Sequence, residues 1–305
     1  MSLLLSILAS DIFPIFLIAG VGFVLARVLQ ADVRTLSRVV FNALAPCLVF
    51  NTLVTSRITG VQFGRMALFC VILTLTAGLI ARLAAVPLRL DRPMTSAFVI
   101  VVMFSNGGNY GLPVVLFAFG REALAHAAVY FVTSSFLTYT VGIVLAAAGR
   151  KSAREALAGV LKAPAMYGVI AAAVVLNFSV QVPLALMRPI GLLSDATVPI
   201  MLLVLGMQLE RANRPDRPGV VALAVGLSLL LSPVVALMLA GLMHLDGPAR
   251  QAAIIQASMP TAVITTILAL EFEVAPNFVT SAVFLSTMLS PFTLTALIAY
   301  LSRTT

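Results

Sequence analysis

A run of apolar residues from Thr95 to Gly120 is long enough to cross a bilayer as one helix, but it is interrupted near its centre. The interruption is Ser105-Asn106-Gly107-Gly108-Asn109-Tyr110-Gly111-Leu112-Pro113, which contains three glycines, two asparagines and one proline. In hydrocarbon, irregular backbone leaves N–H and C=O groups without hydrogen-bond partners, which costs several kcal/mol for each group. Such backbone is therefore tolerated only where protein or a water-filled cavity supplies partners. A kinked helix with packing asparagines is the simpler alternative. Because two amides and three glycines occur together, we favour the interpretation that this segment lines a site.

The composition predicts a polytopic α-helical membrane protein. Of the 305 residues, 61% are hydrophobic and only 10% are charged, and the mean hydropathy is +1.11. A soluble domain cannot bury that much apolar surface. The net charge of +8 comes from basic residues in short loops between apolar spans, which is a membrane-topology pattern. We therefore expect the lipid bilayer, and not a nucleic acid, as a partner.

Ten membrane spans can be drawn through the apolar runs, with the fourth and the ninth broken. They cover residues 11–29, 36–53, 66–86, 95–120, 125–148, 163–180, 188–209, 220–243, 250–270 and 276–301. With this count, 13 of the 19 Lys and Arg residues fall on one side of the membrane and six on the other. The positive-inside rule then predicts that the richer side is cytoplasmic and that both termini face outward.

The two halves of the chain resemble each other. Phe41-Asn42-Ala43-Leu44-Ala45-Pro46 aligns with Ser194-Asp195-Ala196-Thr197-Val198-Pro199 at an offset of 153, and Asp91-Arg92-Pro93 aligns with Asp246-Gly247-Pro248 at an offset of 155. The break in span four then falls opposite Ser258-Met259-Pro260-Thr261 in span nine. Because each half has an odd number of spans, the second half must be inverted in the membrane. Inverted repeats with paired interrupted helices are typical of secondary transporters, and the interruptions indicate the binding site.

The predicted fold is therefore all-α, with ten transmembrane helices in a 5+5 inverted repeat. The first repeat covers residues 1–148, a short cytoplasmic linker covers 149–162, and the second repeat covers 163–305. Each break starts a half-helix near the midplane, predicted at Leu112–Gly120 and Thr261–Leu270. Two helix starts that converge offer free N–H groups and partial positive charge, so they can bind an anion without a basic side chain.

The predicted ligand is a small carboxylate held by neutral groups around the two breaks. Pro113 suits the first helical turn, where its missing N–H would be unpaired anyway. Asparagine, serine and threonine can add hydrogen bonds, and glycine permits close backbone approach; the alternative is that the asparagines only cap the helix ends. The predicted substrate-binding residues are Ser105, Asn106, Gly107, Gly108, Asn109, Pro113, Ser258, Pro260, Thr261, Asn42 and Asn51.

Two acidic residues are candidates for ion coupling. Asp195 lies near the start of span seven, where an acidic group inside the membrane is costly and indicates a proton carrier, an ion ligand or a structural partner. It could instead reach the outer interface. Glu271 ends the second half-helix, and His126 at the start of span five is interpreted as interfacial. No zinc motif, intramembrane aspartate pair or serine–lysine arrangement is present, so we expect no metal, no cofactor and no enzymatic activity.

At these positions the sequence resembles the bacterial branch of the auxin efflux carrier family, over nearly the whole chain. The likeness is carried by Asn42 to Pro46, Asn106 to Pro113, Ala196 to Pro199 with Leu205-Gly206-Met207-Gln208-Leu209, and Met259-Pro260 with Ala269-Leu270-Glu271-Phe272. The resemblance implies that spans four and nine cross, that spans one, two, six and seven form a scaffold, and that spans three to five and eight to ten move against it like an elevator. It also implies a homodimer in the bacterial inner (plasma) membrane, with periplasmic termini.

The resemblance implies transport of an organic anion, either an auxin-like indole carboxylate or malate or malonate. The chain has no Trp for an aromatic-stacked pocket, which favours a small aliphatic carboxylate. Uniport and proton coupling through Asp195 both remain open. Two alternatives are a sodium-coupled organic anion symporter of the bile-acid type and a receptor that does not transport. Asp195 and Glu271 are few and far apart for a sodium site, and no signalling domain is attached to the spans.

Overall fold

The regular elements of the protein are helices throughout the part of the chain that its computed structural model describes, residues 3–147, 164–210 and 217–304. The predicted linker at 149–162 lies outside these ranges. The helices are α1 Leu3–Leu29, α2 Val33–Thr55, α3 Gly60–Ala85, α4 Arg92–Met103, α5 Gly107–Ala146, α6 Ala165–Asn177, α7 Leu184–Leu209, α8 Pro218–Leu242, α9 Gly247–Ala257, α10 Ile264–Glu271 and α11 Pro276–Thr304.

Seven of the described helices, namely α1, α2, α3, α5, α7, α8 and α11, are long and apolar enough to cross a membrane. The predicted class, an all-helical multi-pass membrane protein, is therefore confirmed. Helix α1 begins at Leu3 rather than at the predicted Asp11, because the apolar residues before Asp11 continue the helix through a π-helical turn at Leu8–Ile12. Helix α5 consists of two segments joined at Gly120, whose φ of 77° and ψ of −168° suit glycine.

Capping residues set several of the helix starts. Thr59 forms a capping box with Gln62: the Gln62 N–H donates to Thr59 Oγ1 at 3.3 Å and the Thr59 N–H donates to Gln62 Oε1 at 2.9 Å. Asp91 accepts from the Met94 N–H at 2.9 Å, and Pro93 follows it in the first turn of α4. These local signals decide where the helices begin after the loops.

Glycines bring α1 against α7 and α2 against α6. A Cβ at Gly206 would lie 1.7 Å from the carbonyl oxygen of Ala19, and one at Gly168 would lie 2.5 Å from that of Pro46. In a membrane, small residues of this kind allow helices to pack backbone against backbone. Helix α7 also packs against α2, so these four helices form one closely packed group.

Helices α4 and α9 lie inside the protein. Every residue in 97–103 and in 252–257 is buried. Helix α4 packs against α3 and α11, and α9 packs against α5 and α8. A helix surrounded by protein can end without a lipid-exposed backbone, which is the condition that irregular structure within a membrane must meet.

Candidate functional site

The non-helical segments that follow α4 and α9 pair with each other. The Asn106 N–H donates to the Pro260 carbonyl at 2.7 Å, and the Ala262 N–H donates to the Phe104 carbonyl at 2.8 Å. This pairing is an isolated antiparallel bridge. Each break therefore satisfies backbone groups of the other, and we refer to residues 104–111 and 258–262 together as the junction.

The hydroxyl groups at the second break are used within the protein. Thr261 Oγ1 donates to the Val101 carbonyl at 3.0 Å, and the Thr261 N–H donates to Ser286 Oγ at 3.2 Å. Ser258 Oγ donates to the Ile254 carbonyl at 2.6 Å. Both Thr261 and Ser258 are fully buried, so these contacts hold the junction together, and their contact with a substrate stays a prediction.

The two asparagines of the first break keep polar atoms without partners. Asn106 is 5% exposed and Asn109 is 3% exposed. Among the described residues, no hydrogen-bond partner is found for Asn106 Nδ2 or for Asn109 Oδ1. Asn109 Nδ2 donates to Gln208 Oε1 of α7 at 3.4 Å. Leaving a buried polar atom unpaired costs about 1–3 kcal/mol, so these amides would gain from a polar ligand.

The glycines of the first break pack against other side chains. A Cβ at Gly107 or at Gly111 would lie 2.6 Å or 2.4 Å from Gln256 Oε1, and one at Gly108 would lie 2.8 Å from the ring of Phe131. The predicted first half-helix is confirmed in its bounds: the α-helical part of α5 begins at Leu112 and is interrupted at Gly120, and a π-helical turn at Gly107–Gly111 precedes it. The second half-helix begins at residue 264, three residues later than predicted, because the preceding residues pair across the junction.

Gln256 on α9 contacts the junction, a role that the sequence alone does not indicate. Its side chain is fully buried, and Nε2 donates to the carbonyls of Gly107 at 3.2 Å and Ala127 at 3.4 Å. These two carbonyls belong to the two segments of α5, so one amide ties α9 to both. The available signal was an amide two residues before Ser258 in a run that is otherwise apolar.

A cavity of about 890 Å³ is bounded mainly by α1, α2, α5 and α7, and its lining, within the part of the chain that the structure describes, includes no residue of the junction. Asn51 and Asp195, two of the predicted residues, line it together with Ser194. Asn51 Nδ2 donates to Ser194 Oγ at 3.3 Å and so links α2 to α7. The cavity is large enough for a small organic anion with its water.

The cavity and the junction lie on the same seam between α5 and α7. Leu116 and Leu202 line the cavity from the two helices. Asn109 lies seven residues before Leu116 on α5, and Gln208 lies six residues after Leu202 on α7. At 1.5 Å per residue, each lies about 10 Å along its helix from the leucine that lines the cavity. The Asn109–Gln208 hydrogen bond therefore joins α5 to α7 about 10 Å from the cavity.

Besides Asn51, three predicted residues lie away from the junction. Asp195 lines the cavity with 66% of its side chain exposed, and its carboxylate lies 3.8 Å from the guanidinium of Arg121, which matches the alternative that it reaches water. Asn42 is exposed and its amide donates to the Arg38 carbonyl of its own helix at 2.8 Å. Glu271 is exposed at the end of α10. The roles predicted for these residues stay predictions.

Broken helices that meet inside a multi-pass helical protein, with a cavity on the same seam between helices, are typical of the class of membrane transporters. The sequence agrees with this class along almost its full length. The chain belongs to the family described as membrane transport protein, which it matches over residues 7–298, and the resemblance to auxin efflux carriers is confirmed.

Relatives of the chain carry transporter names. It is 27% identical over 262 residues to an uncharacterized transporter from Methanothermobacter thermautotrophicus, covering 86% of each chain. It is 24% identical over 271 residues to an uncharacterized transporter from Methanocaldococcus jannaschii, covering 86% of this chain and 87% of that one. It is 29% identical over 212 residues to a Rhizobium meliloti protein provisionally named a malonate transporter, covering 66% of this chain and 65% of that one.

Proposed function

We propose that this protein is a secondary carrier for small organic anions, and that the carboxylate of the substrate binds at the junction. The observation that carries the proposal is the unpaired amide atoms of Asn106 and Asn109 at the start of a buried helix. An asparagine amide can present its donor group to a carboxylate after rotation about its last bond. The first turn of α5 adds the positive end of a helix dipole.

The packing supports the ten-span inverted repeat as part of this proposal. The contact of α1 with α7 has its counterpart in the contact of α6 with α2, and that of α3 with α4 has its counterpart in α8 with α9. Thr197 Oγ1 donates to the Leu44 carbonyl at 3.1 Å, and these residues are separated by 153, the repeat offset. Equivalent positions of two repeats meet in this way at a pseudo-twofold axis. The turn at Gly120 would then separate span four from span five.

An elevator-like movement fits the same arrangement. The close glycine contacts would hold α1, α2, α6 and α7 together as the scaffold, while the junction moves with the other helices. The seam that contains the cavity would be the sliding surface, and the Asn109–Gln208 hydrogen bond crosses it. A homodimer in the bacterial plasma membrane, with both termini outside, completes the proposal from the family resemblance.

A small aliphatic carboxylate is the proposed substrate class. The relative provisionally named a malonate transporter supports it, as does the absence of Trp from the chain. The test is uptake of radiolabelled malonate, malate and indole-3-acetate into proteoliposomes, with and without gradients of protons and of sodium. We expect uptake of at least one carboxylate, with no requirement for sodium. If no carboxylate is transported and none raises the melting temperature, the proposed substrate class is wrong.

A further inference from the structure

His126 lies in the wall of the cavity and not at an exposed interface. It belongs to the second segment of α5, and its side chain is only 4% exposed. It lines the cavity, and Nδ1 has no hydrogen-bond partner among the residues that the structure describes. A buried imidazole nitrogen without a partner is costly, so a hydrogen-bonding group that enters the cavity would stabilise His126.

The charged groups that face the cavity balance each other when His126 is neutral. Arg57, from the loop between α2 and α3, and Arg121 are positive, while Glu122 and Asp195 are negative. Glu122 lies one helical turn before His126 on α5, and Asp195 lines the same cavity from α7. The cavity lining contributed by α1 and α2 carries no charged side chain within the described residues. Protonation of His126 would therefore change the formal charge of the cavity lining from zero to +1.

We propose that His126 is the group through which proton binding strengthens binding of the anion in this cavity, which lies on the same seam as the junction and receives the anion before its carboxylate reaches Asn106 and Asn109. The imidazolium offers a donor at each nitrogen, and one of them can form a charge-assisted hydrogen bond to an entering carboxylate. The proton comes from water on the side to which the cavity opens, and it leaves again when the anion does. By thermodynamic linkage, a bound anion raises the proton affinity of His126 by the same factor by which protonation of His126 raises the affinity for the anion.

This role of His126 rests on the proposed function, because it assigns the residue that binds a proton when the proposed carrier binds an anion. Asp195, the coupling residue predicted from the sequence, has most of its carboxylate in water and already lies near Arg121. His126 is the better candidate because histidine changes charge between about pH 5 and pH 8 and because this one is buried beside the cavity.

Malonate affinity measured at two pH values tests the inference on the full-length protein, purified with an affinity tag that contains no histidine. If protonation strengthens binding tenfold, affinity falls by up to tenfold from a pH below the titration midpoint of His126 to a pH above it. We expect this fall in the wild type and less than a twofold change in His126→Gln. The matched control is His244→Asn, which replaces the second histidine of the chain, an exposed residue between α8 and α9, and should behave as the wild type. Asp195→Asn should also retain the pH dependence.

Direct titration of His126 gives a second measurement that does not depend on the stability of a His126 variant. In His244→Asn the chain retains a single histidine, so its imidazole signals in an NMR titration come from His126 alone. Saturating malonate should raise the titration midpoint by about one pH unit, which corresponds to a tenfold linkage. An unchanged midpoint, or a pH dependence that persists in His126→Gln, overturns the inference while malonate transport upholds the proposed function. If the wild type neither binds nor transports any carboxylate, both are wrong.

Discussion

The packing of Gln256 against the glycines of the junction predicts a large effect for Gly111→Ala. The new Cβ would lie 2.4 Å from Oε1, 3.0 Å from Cδ and 3.2 Å from Nε2 of Gln256, so the whole amide must move. A shift of about 1 Å would lengthen the Nε2 bonds to the Gly107 and Ala127 carbonyls, now 3.2 Å and 3.4 Å, beyond hydrogen-bonding distance.

The expected loss of stability follows from these contacts. Two lost hydrogen bonds contribute about 2 kcal/mol together, and overpacking a buried site costs about 1–3 kcal/mol. Alanine returns roughly 0.5–1 kcal/mol through its better helix propensity. The net destabilisation is about 3 kcal/mol. At about 2 °C per kcal/mol for a chain of this size, the melting temperature should fall by about 6 °C.

A double-mutant cycle with Gln256→Ala measures the contact itself. The smaller side chain leaves room for the Cβ, so the double variant should be more stable than the sum of the single variants predicts, by at least about 1 kcal/mol. Melting can be followed with a thiol-reactive fluorophore in a Cys47→Ala background, where the fully buried Cys70 reports unfolding. Gly64→Ala is the matched control, because no atom beyond its own stretch of helix backbone lies within 4 Å of its Cβ position. A Gly111→Ala protein that melts within 1 °C of the wild type, or an additive double variant, would refute this reasoning.

Three further substitutions test the site and the helix packing. Asn109→Ala removes a proposed contact with the substrate, so it should abolish stabilisation by malonate. Only one long hydrogen bond of 3.4 Å is lost with it, so the melting temperature without ligand should shift by no more than about 2 °C. Asn177→Ala is the exposed control, and unchanged malonate affinity in Asn109→Ala would remove Asn109 from the pocket. Gly206→Ala places a Cβ 1.7 Å from a backbone oxygen of α1, so it should lower the yield of monodisperse protein severely, and normal yield and melting would contradict the close α1–α7 contact. Asp195→Asn breaks an exposed pair at 3.8 Å that is worth at most about 1 kcal/mol, so melting should shift by 2 °C or less, and a larger fall would assign Asp195 a structural role.

The two breaks could be predicted because their residues are exceptional in an apolar run. Glycine, asparagine and proline clustered in the middle of a span conflict with a continuous helix, whatever the rest of the fold does. The prediction that the two breaks lie opposite each other used the repeat offset, which can be measured between the short sequences around Pro46 and Pro199. Local composition and one long-range regularity were therefore sufficient for the helical class and for the position of the junction.

The roles of the glycines and of Gln256 could not be predicted, because they depend on contacts between residues far apart in sequence. Gly107 and Gln256 are separated by 149 positions, and only the packing of α9 on α5 places the amide against the glycine. The glycines were predicted to permit close approach of a ligand to the backbone, and in the structure they adopt helical backbone and leave space for the side chains of Gln256 and Phe131. His126 was misplaced for a related reason: its position near a span end indicates an interface, but the surrounding helices bury it.

The neutral character of the junction has a consequence for the proposed movement. A basic side chain that travelled with the site would carry its own charge through the low-dielectric interior, and it would be left unpaired whenever the carrier returned empty. Asn106 and Asn109, with the start of α5, can offset the charge of a bound carboxylate through fixed dipoles, and they are uncharged when the site is empty. Protonation of His126 would add positive charge only while an anion occupies the cavity, and release of both would restore a neutral surface. The return step of the empty carrier would then move amides and backbone dipoles but no ion, which fits a site built from asparagine and glycine and not from arginine.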